Sequence, residues 1–479
     1  MRTLALSLVS HTNVGKTTLA RTLLRRDVGT VYDQAHVTDV SEAWPLLETP
    51  DARLLLWDTP GFGDTARLLR RLRNEGNPLG WFLHTVWDKV TDRPLWCSQE
   101  AVRNIRQDAD VVLYLVNAAE DPRDAAYVPL ELELLGWLER PVLLLLNQTG
   151  PAGDTEELEA AWRAAVAGHP HVRDVLSLDA FTRCWVQEAA LLEKVGPLLA
   201  DADRPLLDGL VAAWNDRNLA AYEACAEALG AQLAETAADR VPLPSALASK
   251  AEKQAAMKEL AERLERRTAA LMDALLDAHG LEGQVASEVR EHIDDFVLPA
   301  GSPLEGGRGA LWGGLLGGAA TGVGAELLAG GLGFGSGVVV GAALGALGGA
   351  GLAKGFEFVL GFGKEPAVRW NETFVRQLAH QGLLRYLAVA QFGRGRGDVH
   401  DDALREGGGA AWRALVDQAL DDRGAALTRA LEQGGDDAAP AAEWVREVLR
   451  DVLAARYPEA RALLGRAGDA LSVPEDAGD

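Results

Sequence analysis

The nine residues Ser10–Thr18 (SHTNVGKTT) constrain this chain more than any other segment. They follow the apolar, β-prone run Leu4–Val9 and precede a helical stretch that begins near Lys16. The pattern is G-x4-G-K-[ST], except that Ser10 stands in place of the first glycine. In such a loop, backbone N–H groups and the helix N-terminus surround phosphate groups. The segment therefore predicts a nucleotide-phosphate site on a strand–loop–helix unit.

The residues of this P-loop have distinct expected roles. Lys16 would reach the β- and γ-phosphates, and the Thr17 hydroxyl would ligate Mg2+. Gly15 would allow the backbone to approach the ligand closely. The predicted nucleotide-binding residues of the loop are Ser10, Asn13, Val14, Gly15, Lys16, Thr17 and Thr18.

A second motif, DTPG, begins at the end of the apolar run Leu54–Asp58. Asp58 would hold Mg2+ through a water molecule, and the Gly61 N–H would contact the γ-phosphate. An aspartate at a strand end is common by itself, but its position downstream of a P-loop favours the nucleotide site over a purely structural role.

Further apolar runs at Val111–Asn117 and Val142–Asn147 predict strands that are covered on both faces. They alternate with helical stretches, which is typical of a parallel sheet with crossover helices. The first part of the chain is therefore predicted to be an α/β P-loop NTPase domain, with a mostly parallel sheet and helices on both faces.

The order of P-loop, DTPG and a later strand ending in Asn147 resembles the Era-like (TrmE-Era-EngA-septin-like) P-loop GTPases. The segments WFLHTVWDKV, RPLWCSQEAVRNIR, VVLYLVNAAEDP, VLLLLNQTGP and LDAFTRCWVQE are similar to a bacterial family in which such a domain precedes a helical domain of unknown function. The likeness is specific over residues 1–200 and looser beyond them. It implies a GTPase that binds GTP and GDP with Mg2+ and acts as a molecular switch.

The resemblance also indicates residues that would read the base. Guanine recognition normally uses NKxD, but here Asn147 is followed by Gln148, and Gly150 stands at the Asp position. A modest preference for GTP over ATP is therefore expected unless another group substitutes. Ser177 belongs to the segment that would form the last base-contacting loop.

Turnover is expected to be slow without an activator or potassium. Phe62 follows DTPG where Ras-type enzymes carry a water-orienting glutamine. Asn13 occupies the position that coordinates K+ in related Era-like enzymes, the alternative being an amide that holds a turn. The switch I threonine that binds Mg2+ would be Thr38, with Thr30 as a weaker candidate. The expected catalytic residues are thus Lys16, Asn13 and Thr38.

Changes in composition indicate the domain organisation. Residues 1–200 would form the G domain, with an insertion at about 65–107, and residues 201–304 and 365–479 have helical periodicity. The intervening segment 305–364 is apolar, and 22 of the 51 glycines lie between 306 and 363. The predicted second half is an all-α region that contains a glycine-zipper hairpin.

The glycine-rich segment has features of membrane helix pairs. Glu326 is the one charged residue between Gly309 and Ala353, and a GxxxG spacing recurs from Gly333 to Gly349. About 20 apolar residues cross a bilayer. Membrane insertion or association is favoured, and a soluble hairpin buried between the flanking domains is the alternative.

The insertion at 65–107 lies in the switch II region. Coupling of the nucleotide state to a partner and an extra helical pair on the sheet edge are equally compatible with it. A less favoured role is an arginine finger in cis, from a cluster that consists of Arg67, Arg70, Arg71 and Arg73.

Charge and cysteine content restrict partners and compartment. The net charge of −23 argues against nucleic acid, whose phosphates demand clustered Lys and Arg. Cys97, Cys184 and Cys225 show no pair spacing, which suits a reducing compartment. A cytoplasmic protein is expected, with peripheral or hairpin attachment to the inner membrane as the variant and a nucleotide-dependent dimer as a further expectation.

Three functions therefore stay open. The first is a GTP-hydrolysing switch coupled to a membrane or protein partner. The second is a non-hydrolysing interaction or scaffold protein, and the third is a nucleotide-driven membrane-remodelling protein.

Overall fold

A computed structural model of the chain divides into two compact units. Unit 1 comprises Met1–Asn218 and Gln391–Asp401, and unit 2 comprises Leu219–Ala390 and Asp402–Asp479. The residues described are 1–12, 14–24, 41–63, 65–73, 93–147, 155–178, 185–281, 283, 286–287, 289–290, 293, 356–359, 365–391, 409–435, 437–457 and 460–469.

Strands and helices alternate along unit 1. They are β1 (Arg2–Ser10), α1 (Lys16–Leu24), β2 (Glu42–Glu48), β3 (Ala52–Asp58), α2 (Thr65–Leu72), α3 (Arg93–Gln107), β4 (Val111–Asn117), α4 (Tyr127–Gly136), β5 (Val142–Asn147), α5 (Thr155–Val166), β6 (Val172–Ser177), α6 (Trp185–Val195) and a 3-10 turn (Gly196–Leu198). A long helix, α7 (Arg204–Ala238), contains the division between the units.

The sheet of unit 1 has the strand order β2-β3-β1-β4-β5-β6. All neighbouring pairs are parallel except β2 with β3. The predicted α/β P-loop fold with a mostly parallel sheet is confirmed, and the runs predicted as strands at 111–117 and 142–147 have those bounds.

Helices cover both faces of this sheet, because alternate residues of a strand point to opposite sides. In β4, Leu113 belongs to one hydrophobic cluster together with Leu6 of β1 and Leu19 of α1. Its neighbour Tyr114 belongs to a second cluster, together with Phe62. Burial on both faces explains why these strands are continuously apolar.

Unit 2 is mainly helical. Besides the second part of α7 it contains β7 (Arg240–Pro242), α8 (Lys250–Ala278), β8 (Phe356–Val359), β9 (Ala367–Trp370), α9 (Glu372–Ala390), α10 (Gly409–Gly434), α11 (Ala439–Arg456) and α12 (Ala460–Asp469). The start of α8 is fixed by a capping box between Ser249 and Glu252, which satisfies backbone N–H groups of the first turn.

The prediction of an all-α second half is wrong in one respect, since unit 2 contains a three-stranded antiparallel sheet of order β7-β9-β8. Its strands have only three or four residues, too few for a clear alternation signal in the sequence. The Trp370 ring in β9 stacks on Phe356 of β8, with centroids 4.4 Å apart, and on Phe374 of α9 at 4.1 Å. Cross-strand aromatic packing thus stabilises strands that local propensity does not predict.

The predicted glycine-zipper hairpin at 305–364 lies outside the described residues, apart from β8 at 356–359. Among the helices described, none has both the length and the apolar character needed to cross a membrane. The proposed subdivision into 201–304, 305–364 and 365–479 stays a prediction.

A buried carboxylate, Asp239, joins the residue before β7 to α8 within unit 2. The Asp239 side chain is 4% exposed and accepts from Nη1 of Arg263 at 2.7 Å and from Nη1 of Arg267 at 2.6 Å. The other side of the Arg263 guanidinium meets Glu259, whose side chain is 51% exposed. The same arginine therefore has one buried and one solvated partner.

Substitution of Asp239 and of Glu259 should separate what the buried and the solvated ion pair each contribute to the free energy of unfolding. We expect Asp239→Asn to lower the free energy of unfolding by about 1–3 kcal/mol, because it removes the charge from a buried pair. Glu259→Gln should cost less than about 1 kcal/mol, because water already screens that pair. Urea unfolding of both variants measures the difference, and equal costs would contradict this assignment.

Candidate functional site

The candidate site lies where the parallel strands of unit 1 end. Ser10, Asp58, Asn147 and Ser177 are the last residues of β1, β3, β5 and β6, respectively. Pairing of β1 with β3 brings Leu8 opposite Asp58, so the P-loop and DTPG leave neighbouring strands. Ligands of open α/β sheets bind at this carboxyl edge.

The P-loop turns from β1 into α1 at Gly15, whose φ is 93°. A residue with a side chain rarely adopts this left-handed conformation, which explains the glycine. Lys16 opens α1, is 8% exposed, and its Nζ lies 3.3 Å from the Ser10 Oγ. The serine that replaces the first glycine of the motif thus interacts with the lysine that is expected to bind phosphate.

Thr17 and Asp58, the two described residues that are expected to hold Mg2+, are in direct contact. The Thr17 Oγ1 donates to Oδ2 of Asp58 at 2.7 Å. The Asp58 side chain is almost fully buried, and its Oδ1 has no hydrogen-bond partner among the described residues. Burial raises the pKa of Asp58, and the nearby Lys16 ammonium and the Thr17 hydrogen bond offset part of this rise. Two oxygens from an alcohol and a carboxylate are ligands that Mg2+ accepts, so these residues fit the ion.

DTPG is held against β1 by two hydrogen bonds. The Thr59 hydroxyl donates to the Leu8 carbonyl at 2.6 Å, and the Phe62 N–H donates to the Ser10 carbonyl at 2.9 Å. At Gly61, a Cβ atom would lie 3.2 Å from the Lys16 Nζ. The glycine therefore lets the DTPG backbone approach the P-loop lysine closely.

The Phe62 side chain is fully buried in the cluster that also contains Leu68 and Leu95. It contributes to the core beneath α2 and α3. A phenylalanine side chain has no polar group, and this one is also buried, so Phe62 cannot orient a water molecule by a hydrogen bond.

On the other side of the loop, Asn147 Nδ2 donates to the Val14 carbonyl at 2.7 Å, and Asn147 is fully buried. The Ser177 backbone N–H is bound by the Glu159 carboxylate at 2.8 Å. The end of β5 is thus fixed to the P-loop, and the end of β6 is fixed to α5. Thr18, also predicted in the site, is a buried residue of α1.

The structure brings together Ser10, Val14, Gly15, Lys16, Thr17, Asp58, Gly61 and Asn147. Three predicted site residues, Asn13, Thr38 and Gln148, lie outside the described residues, as do Thr30 and Gly150.

The last helix of the insertion, α3, holds the segment that follows DTPG, a contact that the sequence did not reveal. The Ser98 Oγ of α3 accepts from the Gly63 N–H at 3.1 Å and donates to the Pro94 carbonyl at 2.9 Å. A Cβ on Gly63 would lie 2.5 Å from the Pro94 Cβ. The glycine therefore allows α3 to pack directly on this backbone.

One arginine of the cluster considered as an arginine finger, Arg73, pairs with a carboxylate of α4. Arg73 Nε donates to Oε1 of Glu133 on α4 at 3.0 Å. The described part of the insertion, α2 and α3, contributes buried residues to one core cluster with β4 and α4. These two helices therefore pack on a face of the sheet against its inner strand β4 rather than on the sheet edge, and the role of the insertion stays a prediction.

A buried carboxylate beside the site was also missed. Glu131 of α4 is fully buried and accepts hydrogen bonds from Thr65 and Tyr114, and it contacts His11 of the P-loop. The available signal was its position among buried Val128, Leu132 and Leu135 on the apolar face of α4. A charge on such a face calls for partners.

Comparison with known families agrees with this geometry. Residues 5–148 match the family described as 50S ribosome-binding GTPase, so the chain carries a P-loop GTPase domain. Residues 170–444, more than half of the chain, match the family described as a domain of unknown function (DUF3482). The chain belongs to this DUF3482 family. No curated protein matches the sequence of this chain.

Several solved structures are similar at low identity. Aquifex aeolicus Era bound to GDP.AlF4- is 19% identical with a TM-score of 0.31, over 42% of this chain and 58% of that chain. A probable GTP-binding protein engB is 16% identical with a TM-score of 0.24, over 36% and 88%. NFeoB from S. thermophilus bound to GDP.AlF4- and K+ is 16% identical with a TM-score of 0.24, over 56% and 83%. The chain thus spans little more than half the length of the Era structure.

The packing of α3 on Gly63 is testable. We expect Gly63→Ala to lower the free energy of unfolding by about 1–3 kcal/mol, because the new methyl group overlaps Pro94. Gly168→Ala is the matched control, since a Cβ there meets no atom within 4 Å, and it should change stability by less than about 0.5 kcal/mol. Thermal or urea unfolding compares the two, and an undisturbed Gly63→Ala protein would contradict the contact.

Proposed function

We propose that residues 1–200 bind GTP and GDP with Mg2+, hydrolyse GTP, and act as a molecular switch for the rest of the chain. The observation that carries this proposal is the meeting of Lys16, Thr17 and Asp58 at the ends of β1 and β3, with a buried carboxylate oxygen of Asp58 lacking a partner. The match of residues 5–148 to a GTPase family supports it.

Electrostatics favour a phosphate at this position. Burial lowers the pKa of Lys16, and the neighbouring Asp58 and Glu131 carboxylates offset part of this effect. A phosphate group would give the buried ammonium the charge partner that stabilises its protonated form. The N-terminus of α1 adds positive potential to the same place.

Thr17, Asp58 and, from switch I, Thr38 are the residues proposed to hold Mg2+. When bound, the ion would neutralise charge on the β- and γ-phosphates. The chain's own residues position the nucleotide: Lys16 contacts the phosphates, and Gly61 presents its N–H towards the γ-phosphate.

Hydrolysis is proposed to be slow in the isolated protein. Phe62 is buried and offers no hydrogen bond to an attacking water. A K+ ion held by Asn13 is the proposed complement, because Asn13 occupies the loop position at which the resemblance to Era-like enzymes places this cation. The proposed catalytic residues are therefore Lys16, Asn13 and Thr38.

Base recognition is proposed to rest on Asn147, Gln148 and Ser177. Asn147 also fixes the P-loop, because its Nδ2 donates to the Val14 carbonyl. Because no Asp follows in the NKxD position, discrimination between GTP and ATP should be weaker than about 100-fold, roughly what one lost pair of hydrogen bonds to a charged group permits.

The first test of the proposal is nucleotide binding by Lys16→Ala. We expect its affinity for GTP and GDP to fall by about 100-fold or more, because the substitution removes the buried ammonium group that would pair with the phosphates. Lys194→Ala is the matched control, since that lysine pairs with Asp174 on the outer strand β6, and its affinity should stay within about threefold of wild type. Titration calorimetry measures both, and equal affinities would refute the assignment.

The magnesium assignment is tested by Asp58→Asn. Without metal, we expect this variant to be at least as stable as wild type. The substitution removes a carboxylate whose charged form is destabilised by burial, as its raised pKa shows. Stabilisation by GDP with Mg2+ should be largely lost. Thermal unfolding in EDTA and in Mg2+ with GDP gives both quantities. Exposed Asp51→Asn is the control, and undiminished Mg2+ stabilisation in Asp58→Asn would reject the site.

Phosphate release from GTP and ATP in K+ and in Na+ distinguishes a GTP-hydrolysing switch from a protein that binds the nucleotide without hydrolysing it. Turnover that is faster in K+ and abolished by Lys16→Ala is expected. Tight nucleotide binding with no release in either salt would instead favour a non-hydrolysing interaction or scaffold protein.

The partner of the switch is proposed to be a membrane or a membrane protein reached through 305–364, a proposal that rests on the sequence of that segment. In the cell this corresponds to a cytoplasmic protein at the inner membrane, with a nucleotide-dependent dimer as a further element. Flotation of the full chain with anionic vesicles, in GDP and in a GTP analogue, should recover more protein in one state. Equal absence from the vesicles in both states would leave a protein partner.

Vesicle shape after the same incubation tests the third function. Nucleotide-dependent tubulation or leakage would favour a membrane-remodelling protein over a switch.

A further inference from the structure

Glu131 is a fully buried carboxylate that receives contacts from three separate elements. Its Oε1 lies 2.7 Å from Nδ1 of His11 in the P-loop and 3.3 Å from Oγ1 of Thr65, the first residue of α2. Its Oε2 accepts from the Tyr114 hydroxyl of β4 at 2.8 Å. In its ionised form the carboxylate only accepts hydrogen bonds, and the His11 Nδ1 is then the donor.

The contacts offset the cost of burying a charge. Burial raises the pKa of Glu131, and the contacts with His11, Tyr114 and Thr65 each offset part of the rise. A buried charge that loses a donor is destabilised, whereas a fully paired one fixes the positions of its partners. The carboxylate therefore holds its three donors at set separations.

Two of these donors flank the phosphate site. His11 follows Ser10 directly and forms an isolated parallel bridge with Phe62. Thr65 begins α2, three residues after Phe62. The backbone bridge joins the P-loop to the end of DTPG, and Glu131 joins the same two segments a second time through side chains.

The remaining contacts anchor the network to the sheet. Tyr114 is fully buried in β4, and burial, together with the Glu131 charge, raises its pKa well above the ordinary value, so the hydroxyl stays a donor. The His11 ring stacks on Tyr127 of α4, with centroids 4.6 Å apart and an interplanar angle of 27°. The sheet and α4 form the fixed side, and His11 and Thr65 lie on the nucleotide side.

We infer that Glu131 is a positioning residue that couples the P-loop to the start of switch II, so that the nucleotide bound at the P-loop sets the position of α2. This role rests on the proposed nucleotide switch. It assigns to α4 the link between the phosphate site and the helices of the 65–107 insertion. In this arrangement Thr65 transmits the nucleotide state, while Glu131 itself does not touch the nucleotide.

The test removes one hydroxyl. Thr65→Val loses the donor and keeps the shape, and Thr65→Ser keeps the donor. In Thr65→Val, we expect the rate of GTP hydrolysis to fall by about tenfold, the value of one hydrogen bond to a charged group, and the affinity for GDP to stay within about twofold. Thr65→Ser should restore the rate. Thr236→Val is the control, since that buried hydroxyl of α7 has no partner among the described residues.

Hydrogen–deuterium exchange gives a readout that a purely structural role would not move. In the wild type, exchange of residues 61–72 should differ between GDP and a GTP analogue. We expect this difference to disappear in Thr65→Val and in Glu131→Gln and to persist in Thr65→Ser and Thr236→Val.

The outcomes separate this inference from the proposed function. A wild-type protein that neither binds nor hydrolyses GTP would refute the proposed function itself. A wild type that does both, with Thr65→Val retaining its rate and its exchange difference, would overturn the coupling role alone. Failure of Thr65→Ser to restore either quantity would overturn it as well.

Discussion

The contact between the Thr17 hydroxyl and the Asp58 carboxylate depends on the parallel pairing of β1 with β3, and the rest of the site is arranged around it. Pairing of Leu8 with Asp58 places the end of β3 beside β1, two residues before β1 ends and the P-loop begins. A buried carboxylate with one unpartnered oxygen is energetically costly by itself, and a nearby cation stabilises it. The fold thus keeps an unfavourable charge where a ligand can neutralise it.

Around this contact the unit uses buried polar groups to join segments that are distant in sequence. Ser98 holds the backbone after DTPG, Asn147 holds the P-loop, and Glu131 joins the P-loop to α2. Each of these groups has at least one partner in another element, which fixes the end of β5, the P-loop and the described helices of the insertion to one another. The segment after DTPG and the described helices of the insertion, α2 and α3, thus form one packed region within unit 1.

Much of this could be predicted from local sequence. The P-loop and DTPG each carry their chemistry in a few consecutive residues, and continuous apolar runs predicted the strands ending in Asn117 and Asn147 with the correct bounds. The small sheet of unit 2 could not be predicted in this way, because strands such as β8 and β9 are stabilised by stacking of Phe356, Trp370 and Phe374 across elements. Short strands with weak periodicity depend on such partners.

The sequence by itself determined the α/β P-loop fold of the first part of the chain and the position of the P-loop, because these follow from residue types at fixed spacing. Only the tertiary structure decided the connections between them. Phe62 enters the core instead of facing the phosphate site, and Glu131 meets His11 and Thr65 across 120 and 66 residues of sequence. The physical reason is that a buried charge or ring takes its partners from whichever elements the sheet brings together, and no local pattern encodes them.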